Sequence, residues 1–325
     1  MALDEVVTAG APGALAFVRD ESGSEGAASG FADREAGREL RPGDRFRIGS
    51  VTKTFVAAVV LQLVDEGVLR LDDTAENWVP GLLPGGEGIT IRELLSHTSG
   101  LPDYVDDLPR SADPSWQPRD LIELALEDPQ GAPRRFSYAS TNYLVLQLVV
   151  EEAAGADLAE QLERRIFEPL GLEETSFEPG SLRGEQAHGY RPPSHAGVVT
   201  GRPVDVTDEP ATWAWGAGAI VSTADDVARF FRALLEGEVV PPDLLEEMQA
   251  LVPAGRNRYG LGLAVYPTPC GPAWGHTGNA NGYITIAWNT RHAERQFVLM
   301  TNSYPLSPDL EAALRRAQIS AFCGS

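Results

Sequence analysis

The chain has 325 residues, 43% of them hydrophobic and 22% charged, a composition that predicts a folded globular protein and excludes a disordered one. Its 26 basic and 47 acidic side chains give a formal net charge of −21, which argues against nucleic acid and anionic membranes as partners because both require a basic surface. No apolar stretch reaches the roughly 18 residues that a membrane-spanning helix needs.

Strands are predicted first along the chain. Apolar-rich segments at residues 13–20 and 26–34 are separated by a Ser/Gly turn, which is typical of a hairpin, and residues 45–49 are a further short strand. The almost wholly apolar segment 55–64 then predicts a buried helix that is followed by Gly67 as its stop signal.

Helices dominate the middle of the chain, and strands return towards its end. The clearest middle helices are residues 91–95, 119–127, 143–154 and 158–167. A helix over 223–237 follows, with Thr223 as its predicted N-cap. The last predicted elements are strands at 259–266, 282–289 and 295–302 and a closing helix at 310–322.

This order of strands, helices and strands predicts an α+β fold of two lobes. The simplest packing places both chain ends, residues 1–67 and 210–325, in one antiparallel sheet with helices on its faces. Residues 68–209 then form a separate helical lobe. The cleft between the lobes is the expected position of a functional site.

One residue count points to chemistry: the chain has 25 arginines but a single lysine, Lys53. Lysine can lose its proton inside a protein, whereas arginine cannot. Lys53 follows Ser50 by three residues, which puts both side chains on one face of a helix. Burial against an apolar helix lowers the pKa of a lysine, so its neutral amine can activate the serine hydroxyl as a nucleophile. The alternative is a capping serine followed by a solvated lysine.

Two further clusters are candidates for the same site. Tyr138 lies in a turn before an apolar helix, and a tyrosine near a lysine ammonium ionises more easily and can pass a proton to a leaving group. Residues 274–279 contain two glycines and join two predicted strands, so a substrate backbone can lie close against a sheet edge there. The alternative for Tyr138 is a tyrosine that only packs in the interior. The alternative for residues 274–279 is an ordinary glycine-rich turn.

Taken together, Ser-x-x-Lys, the tyrosine turn and a late His-Thr-Gly resemble the penicillin-recognising serine hydrolases. The chain is most similar to the secreted actinomycete serine D-alanyl-D-alanine carboxypeptidases, the class C β-lactamases and related D-stereospecific amidohydrolases. The matching segments cover nearly the whole chain and are residues 44–53, 61–67, 95–101, 141–143, 216–222, 259–263 and 321–324. The resemblance implies an α/β lobe with a five-stranded antiparallel sheet, an all-helical lobe and a cleft between them.

The resemblance also implies the role of each site residue. Ser50 is the acylated nucleophile, Lys53 is its base, and Tyr138 protonates the leaving group and assists deacylation. The backbone N–H groups of Ser50 and Asn279 form the oxyanion hole. The substrate-binding residues that it implies are His276, Thr277, Gly278, Asn279, Ser140 and Trp213. It implies no cofactor, and because the five histidines form no ligand cluster we expect no metal.

Two departures from the family pattern affect the expected rate and the expected substrate. The family turn is usually Tyr-x-Asn, whereas this chain has Ser140 at the third position, and losing one such donor costs on the order of a hundredfold in rate. Ala264 stands where the carboxypeptidases carry an arginine for the terminal carboxylate, and Asn279 replaces a threonine that assists it. Since a buried carboxylate without a cation is costly, we expect a D-amide, a D-ester or a longer D-peptide.

The two cysteines, Cys270 and Cys323, bear on the cellular compartment. Two free thiols are typical of a cytoplasmic protein, whereas the resemblance implies a disulfide that ties the closing helix to the sheet. Residues 1–10 lack the basic start and apolar stretch of a signal peptide. We therefore expect a secreted protein whose leader is absent from this sequence, with a cytoplasmic protein as the alternative.

The expected function is a serine hydrolase or acyl transferase that forms an acyl-enzyme at Ser50 on peptides, amides or esters containing a D-amino acid. β-Lactams are expected covalent inhibitors, and a monomer is expected. If the protein is an enzyme, the alternative activity is that of a class C-like β-lactamase or an esterase. The alternative from another class is a penicillin-binding sensor or scaffold with little turnover, which the replacement of asparagine by Ser140 keeps open.

Overall fold

The computed structural model describes residues 2–108, 115–127, 135–192, 194–195, 198–199 and 201–324. Its α-helices are α1 (Leu3–Thr8), α2 (Thr52–Asp65), α3 (Ala75–Trp78), α4 (Ile91–Leu95), α5 (Pro118–Leu126), α6 (Thr141–Ala154), α7 (Leu158–Leu162), α8 (Glu168–Leu170), α9 (Ala224–Leu235), α10 (Pro242–Met248) and α11 (Pro308–Cys323). Short 3₁₀ turns lie at Gly49–Val51, Gly86–Gly88, Tyr104–Asp107 and Trp215–Ala217, and a π turn lies at Glu163–Phe167. None of the helices within the described ranges is both long and apolar enough to cross a bilayer.

The strands are β1 (Gly13–Asp20), β2 (Gly23–Asp33), β3 (Arg38–Glu39), β4 (Phe46–Arg47), β5 (Ser176–Phe177), β6 (Tyr190–Arg191), β7 (Ser194–His195), β8 (Val198–Val199), β9 (Val204–Asp205), β10 (Ile220–Ser222), β11 (Val252–Ala254), β12 (Asn257–Tyr259), β13 (Ala264–Thr268), β14 (Gly271–Ala280), β15 (Tyr283–Asn289) and β16 (Gln296–Thr301).

Over the described residues, a nine-stranded antiparallel sheet is built from both ends of the chain. Its order is β11-β12-β13-β14-β15-β16-β1-β2-β3, and β1 joins the two ends because it pairs with β16 on one side and β2 on the other. The mixed fold with one sheet from both termini was predicted, but the number of five strands is wrong. Four strands enlarge the sheet: the short edge strands β3, β11 and β12, and β14, which the sequence did not predict. Two or three residues, as in the edge strands, give no readable alternation in a sequence.

The middle segment, residues 68–209, is mainly helical but also contains short strands. β5 joins β10 and β4 in a three-stranded sheet, and β6 pairs with β9. The expectation of an all-helical lobe is therefore too simple, because this segment crosses back to strands of the other lobe through β5.

Helices cover both faces of the large sheet. On one face, Val6 of α1 and Leu314 of α11 are buried together with Trp288 of β15. On the other face, Phe55 of α2 stacks on Phe230 of α9 with ring centroids 3.6 Å apart. Because α2 is apolar on nearly every side, it lies in the centre of the molecule, between the sheet and the helices of the middle segment.

The predicted strand 259–266 is divided into β12 and β13 where the chain crosses α2. The Thr54 hydroxyl donates a hydrogen bond to the Gly262 carbonyl at 2.7 Å. Gly262 has φ +74°, and a Cβ there would clash with Ala57 of the helix. The strand is therefore interrupted by a close helix contact that only glycine permits.

The glycine-containing segment 274–279 is not a link between two strands, as predicted, but the interior of one. It belongs to β14, which pairs with β13 on one side and β15 on the other. Glycine weakens strands in general, which is why the sequence pattern indicated a turn.

A disulfide joins Cys270, in the turn before β14, to Cys323 at the end of α11. The two Cα atoms are 5.5 Å apart, and the cysteines are 53 residues apart in sequence. This is the pairing that the family resemblance implies, and it fixes the last turn of the closing helix to the sheet.

We expect the double substitution Cys270→Ser and Cys323→Ser to lower the free energy of unfolding by about 4 kcal/mol, because the bridge closes a long loop and restricts the unfolded chain. Urea unfolding followed by tryptophan fluorescence measures the change, with reduced wild type as the matched control. Two titratable thiols in unreduced, denatured protein would contradict the bridge.

Candidate active site

Ser50 lies where the chain passes from β4 into α2. It is the middle residue of the 3₁₀ turn Gly49–Val51, which runs directly into the helix. Gly49 has φ +51°, and a Cβ there would lie only 2.7 Å from the backbone nitrogen of Asn279 in β14. The turn therefore rests on β14, and this contact holds Ser50 at the wall of a cavity of about 320 Å³.

Lys53 lies one turn further along, and its side chain is completely buried. Its Nζ is 3.0 Å from Ser50 Oγ and donates a hydrogen bond to the Ala217 carbonyl at 2.7 Å. Burial lowers the pKa of Lys53 to about 7, against a smaller opposing effect of the Asp103 carboxylate. At neutral pH a large share of the amine is therefore uncharged and can accept the proton of the Ser50 hydroxyl.

Tyr138 contacts the same serine from the loop before α6. Its hydroxyl lies close enough to the Ser50 side chain to interact with it, and its ring centroid is 5.1 Å from Lys53 Nζ. Desolvation raises the pKa of Tyr138 well above the ordinary value, although 36% of the residue is exposed, and this runs against the sequence-based expectation that the tyrosine ionises easily. In the resting site the phenol is protonated, so it can donate a proton or a hydrogen bond.

His276 is neutral in this structure. Its Nδ1 lies 2.6 Å from the Thr277 carbonyl, which only accepts, so Nδ1 carries the proton and Nε2 accepts from the Tyr259 hydroxyl at 3.0 Å. Burial lowers the pKa of His276 to about 3. The position where many relatives carry a lysine therefore holds no positive charge at neutral pH.

The two amides predicted to form an oxyanion hole lie at one crossing of the backbone. A Cβ on Gly278 would lie 2.8 Å from the Ser50 nitrogen, and one on Gly49 would lie 2.7 Å from the Asn279 nitrogen. Both glycines thus allow the turn at Ser50 and strand β14 to touch. The arrangement suits two N–H groups that converge on one substrate oxygen, and the role itself stays a prediction.

The structure brings some predicted substrate-binding residues together and leaves others apart. Besides Ser50 and Tyr138, the cavity is lined by His276, Thr277 and Asn279 of β14. Ser140 and Trp213 do not line this cavity. The Ser140 nitrogen donates to Asp103 Oδ1 at 3.0 Å, and the Trp213 carbonyl accepts from the Tyr104 hydroxyl at 2.6 Å.

Sequence reasoning missed several residues of the site. Tyr259, Tyr266 and Arg258 line the cavity from β12 and β13, and the Tyr266 hydroxyl is 3.3 Å from Thr277 Oγ1. Asp103 acts on Lys53 electrostatically from the start of a 3₁₀ turn. The aromatic residues of the predicted strand 259–266 were a signal for the tyrosines. Nothing in the sequence near position 103 marks that carboxylate.

His97 lies beneath the catalytic residues and is fully buried. Its Nδ1 accepts from the Ala139 nitrogen at 3.2 Å, and its ring is 4.2 Å from that of Tyr138 between centroids. Burial lowers its pKa well below the ordinary value, so it supports the tyrosine loop as a neutral ring. No cluster of three or more potential metal ligands is found in the described part of the chain.

We expect kcat/KM on a neutral ester to rise with pH through about 7, since Lys53 must lose its proton to act as a base. Lys53→Arg retains a cation that cannot deprotonate and should lower the rate by at least about a hundredfold. Initial rates of p-nitrophenyl acetate hydrolysis measure both effects, with Ser50→Ala giving the background. A rate independent of pH around neutrality contradicts the assignment.

Comparison with known proteins agrees with this geometry. Penicillin-binding protein 4 of Amycolatopsis lactamdurans is 31% identical over 298 residues, which is 84% of this chain and 76% of that protein. A solved D-stereospecific amidohydrolase from Streptomyces sp. superposes with a TM-score of 0.88 at 31% identity, over 100% of this chain and 97% of that one. A D-amino acid amidase from Ochrobactrum anthropi SV3 superposes with a TM-score of 0.89 at 26% identity. The match covers 97% of this chain and 96% of the amidase.

Coverage differs between the two kinds of comparison. The chain spans between 56% and 76% of the length of the curated relatives compared, whereas it matches the two solved structures almost end to end. The family model named Beta-lactamase matches residues 2–321, which is nearly the full sequence. The chain therefore belongs to the beta-lactamase family of serine hydrolases.

Proposed function

We propose that this protein hydrolyses amide or ester bonds of D-configured amino acid derivatives through an acyl-enzyme at Ser50. The observation that carries the proposal is the buried Lys53 amine, which has a pKa of about 7 and lies 3.0 Å from Ser50 Oγ. A serine paired with a neutral amine is an activated nucleophile for acyl transfer.

The steps follow from the groups around Ser50. Its Oγ attacks the carbonyl carbon as Lys53 takes the hydroxyl proton, and the N–H groups of Ser50 and Asn279 stabilise the oxyanion. When the bond to the leaving nitrogen breaks, the Tyr138 phenol supplies a proton and is reprotonated by the Lys53 ammonium. Water then attacks the acyl carbonyl while the neutral Lys53 amine takes one of its protons. The bond between the acyl group and Ser50 Oγ breaks, Lys53 returns the proton to Oγ, and the acid product leaves.

The charges on the sheet side of the cavity favour an uncharged leaving group. His276 is neutral, and Ala264 provides no cation. Arg258 does line the cavity, but it is exposed, and an exposed guanidinium contributes little to binding because water screens it. An amide or ester therefore fits this side better than a free terminal carboxylate, which a buried site must neutralise.

The cavity walls favour an apolar or aromatic substrate side chain. Four aromatic side chains line the cavity, those of Phe136, Tyr138, Tyr259 and Tyr266. Flat rings of this kind bind apolar groups through their faces. The names of the two superposed structures, a D-stereospecific amidohydrolase and a D-amino acid amidase, support the D configuration.

A second candidate function is a penicillin-binding sensor that is acylated but turns over slowly. It is favoured by Ser140, whose hydroxyl makes no hydrogen bond to another described residue and so does not replace the missing amide beside Lys53. Several curated relatives carry penicillin-binding protein in their names. A fluorescent penicillin that labels Ser50 and stays bound through a chase, without amide turnover, would favour this candidate.

We expect kcat/KM for D-phenylalanine amide to exceed that for the L-enantiomer by about a hundredfold, because the inverted centre moves the carbonyl away from Ser50. D-Alanyl-D-alanine as the free acid should be a poorer substrate than D-alanine amide. Release of ammonia or of alanine measures these rates, and Ser50→Ala is the inactive control. Efficient release of terminal D-alanine with poor amide turnover would overturn the proposed substrate class.

A further inference from the structure

His97 has an unusual backbone conformation and lies beside the loop that carries Tyr138. Its φ is +56°, in the left-handed region that residues with a side chain seldom adopt. The residue is also 0% exposed. Such conformations persist only where the surrounding structure over-determines them, and they are concentrated at functional sites. The contacts that His97 makes therefore point to its role.

Two hydrogen bonds to His97 hold the backbone on either side of Tyr138. The His97 carbonyl accepts from the Ser137 nitrogen at 2.9 Å, and its Nδ1 accepts from the Ala139 nitrogen at 3.2 Å. Residues 136–139 belong to neither a helix nor a strand, so no regular ladder of hydrogen bonds orients this loop. The two bonds therefore fix the peptide groups that flank the tyrosine.

The imidazole of His97 also packs on the Tyr138 ring. The ring centroids are 4.2 Å apart, with 31° between the planes. The contact matters because Tyr138 is 36% exposed, and water does not hold a ring in one direction. The rings of Tyr259 and His276 are further from it, at 6.2 Å and 6.3 Å. His97 thus gives Tyr138 a closer ring contact than either of these neighbours does.

The His97 imidazole is in the protonation state that this arrangement requires. Besides the Ala139 nitrogen, the side-chain nitrogen of Asn142 lies 3.1 Å from Nδ1, and the other end of that amide accepts from the Ser99 hydroxyl at 2.6 Å. Two donors face Nδ1, so Nδ1 is unprotonated and Nε2 carries the proton. Nε2 has no hydrogen-bond partner among the described residues, so the ring orients the loop through Nδ1.

We propose that His97 is a positioning residue that directs the Tyr138 phenol at the leaving group, so that it controls the cleavage of amides more strongly than that of activated esters. The inference rests on the proposed function, in which Tyr138 supplies the leaving-group proton. An amide nitrogen must gain a proton as its bond to carbon breaks, whereas p-nitrophenolate leaves as an anion. A phenol displaced by about 1 Å transfers its proton poorly, while Ser50 and Lys53 still form the acyl-enzyme from the ester.

The test uses two substitutions that separate the two ring nitrogens. His97→Asn keeps an acceptor at the distance of Nδ1 and suits a positive φ, whereas His97→Gln places its amide near Nε2 and removes the acceptor for Ala139. We expect His97→Gln to lower kcat/KM for D-phenylalanine amide by about ten- to a hundredfold, and for D-phenylalanine p-nitrophenyl ester by less than about threefold. His97→Asn should recover most of the loss. His292→Gln, the same change at an exposed histidine, is the matched control.

Equal losses on the amide and the ester would overturn the positioning role, because general damage to the site affects both substrates. Equal losses in His97→Gln and His97→Asn would overturn the role of Nδ1.

Hydrogen exchange at the Ala139 amide, followed by NMR, tests the same contact without turnover. Exchange should be slow in wild type and His97→Asn, and at least about tenfold faster in His97→Gln, where the amide lacks its acceptor. Fast exchange in wild type would overturn the inference even if a variant fails to fold. Absence of turnover of both substrates by wild type, with slow exchange at Ala139, would overturn the proposed function and leave the contact with His97 supported.

Discussion

The chemistry of this site depends on the burial of one amine. An exposed lysine has a pKa near 10.4 and would hold its proton at neutral pH, so it could not activate a serine. Lys53 is 0% exposed because it projects from α2, a helix with apolar neighbours on nearly every side. The Ala217 carbonyl then fixes the direction of the amine towards Ser50. The central position of α2 in the fold is thus itself part of the catalytic apparatus.

The second constraint is the contact between the turn at Ser50 and strand β14. Gly49 lies against Asn279, and Gly278 lies against Ile48 and Ser50, so a side chain on either glycine would push the two backbones apart. The contact brings the amide of Asn279 next to that of Ser50, although the two residues belong to opposite ends of the sequence. The large sheet makes this possible because it places β14 in its interior, between β13 and β15.

Among the described residues, few charges lie around the nucleophile, although the chain as a whole carries a net charge of −21. At neutral pH a large share of Lys53 is uncharged, His276 is neutral, and desolvation raises the pKa of the Tyr138 phenol. In the part of the chain that the structure describes, two charged side chains near the site lie on different elements, Asp103 beside Ser140 and Arg258 on β12.

The sequence by itself determined the pairing of Ser50 with Lys53, the order of strands and helices, and, through the resemblance, the partner of Cys270. These features depend on short spacings or on matching segments, which are present in the sequence without any knowledge of packing. The tertiary structure decided the rest. Tyr138 was expected to ionise because of a neighbouring amine, whereas desolvation in the folded site raises the pKa of its phenol. Asp103 gave no signal in the sequence, since its effect on the pKa of Lys53 arises only when distant parts of the chain pack together.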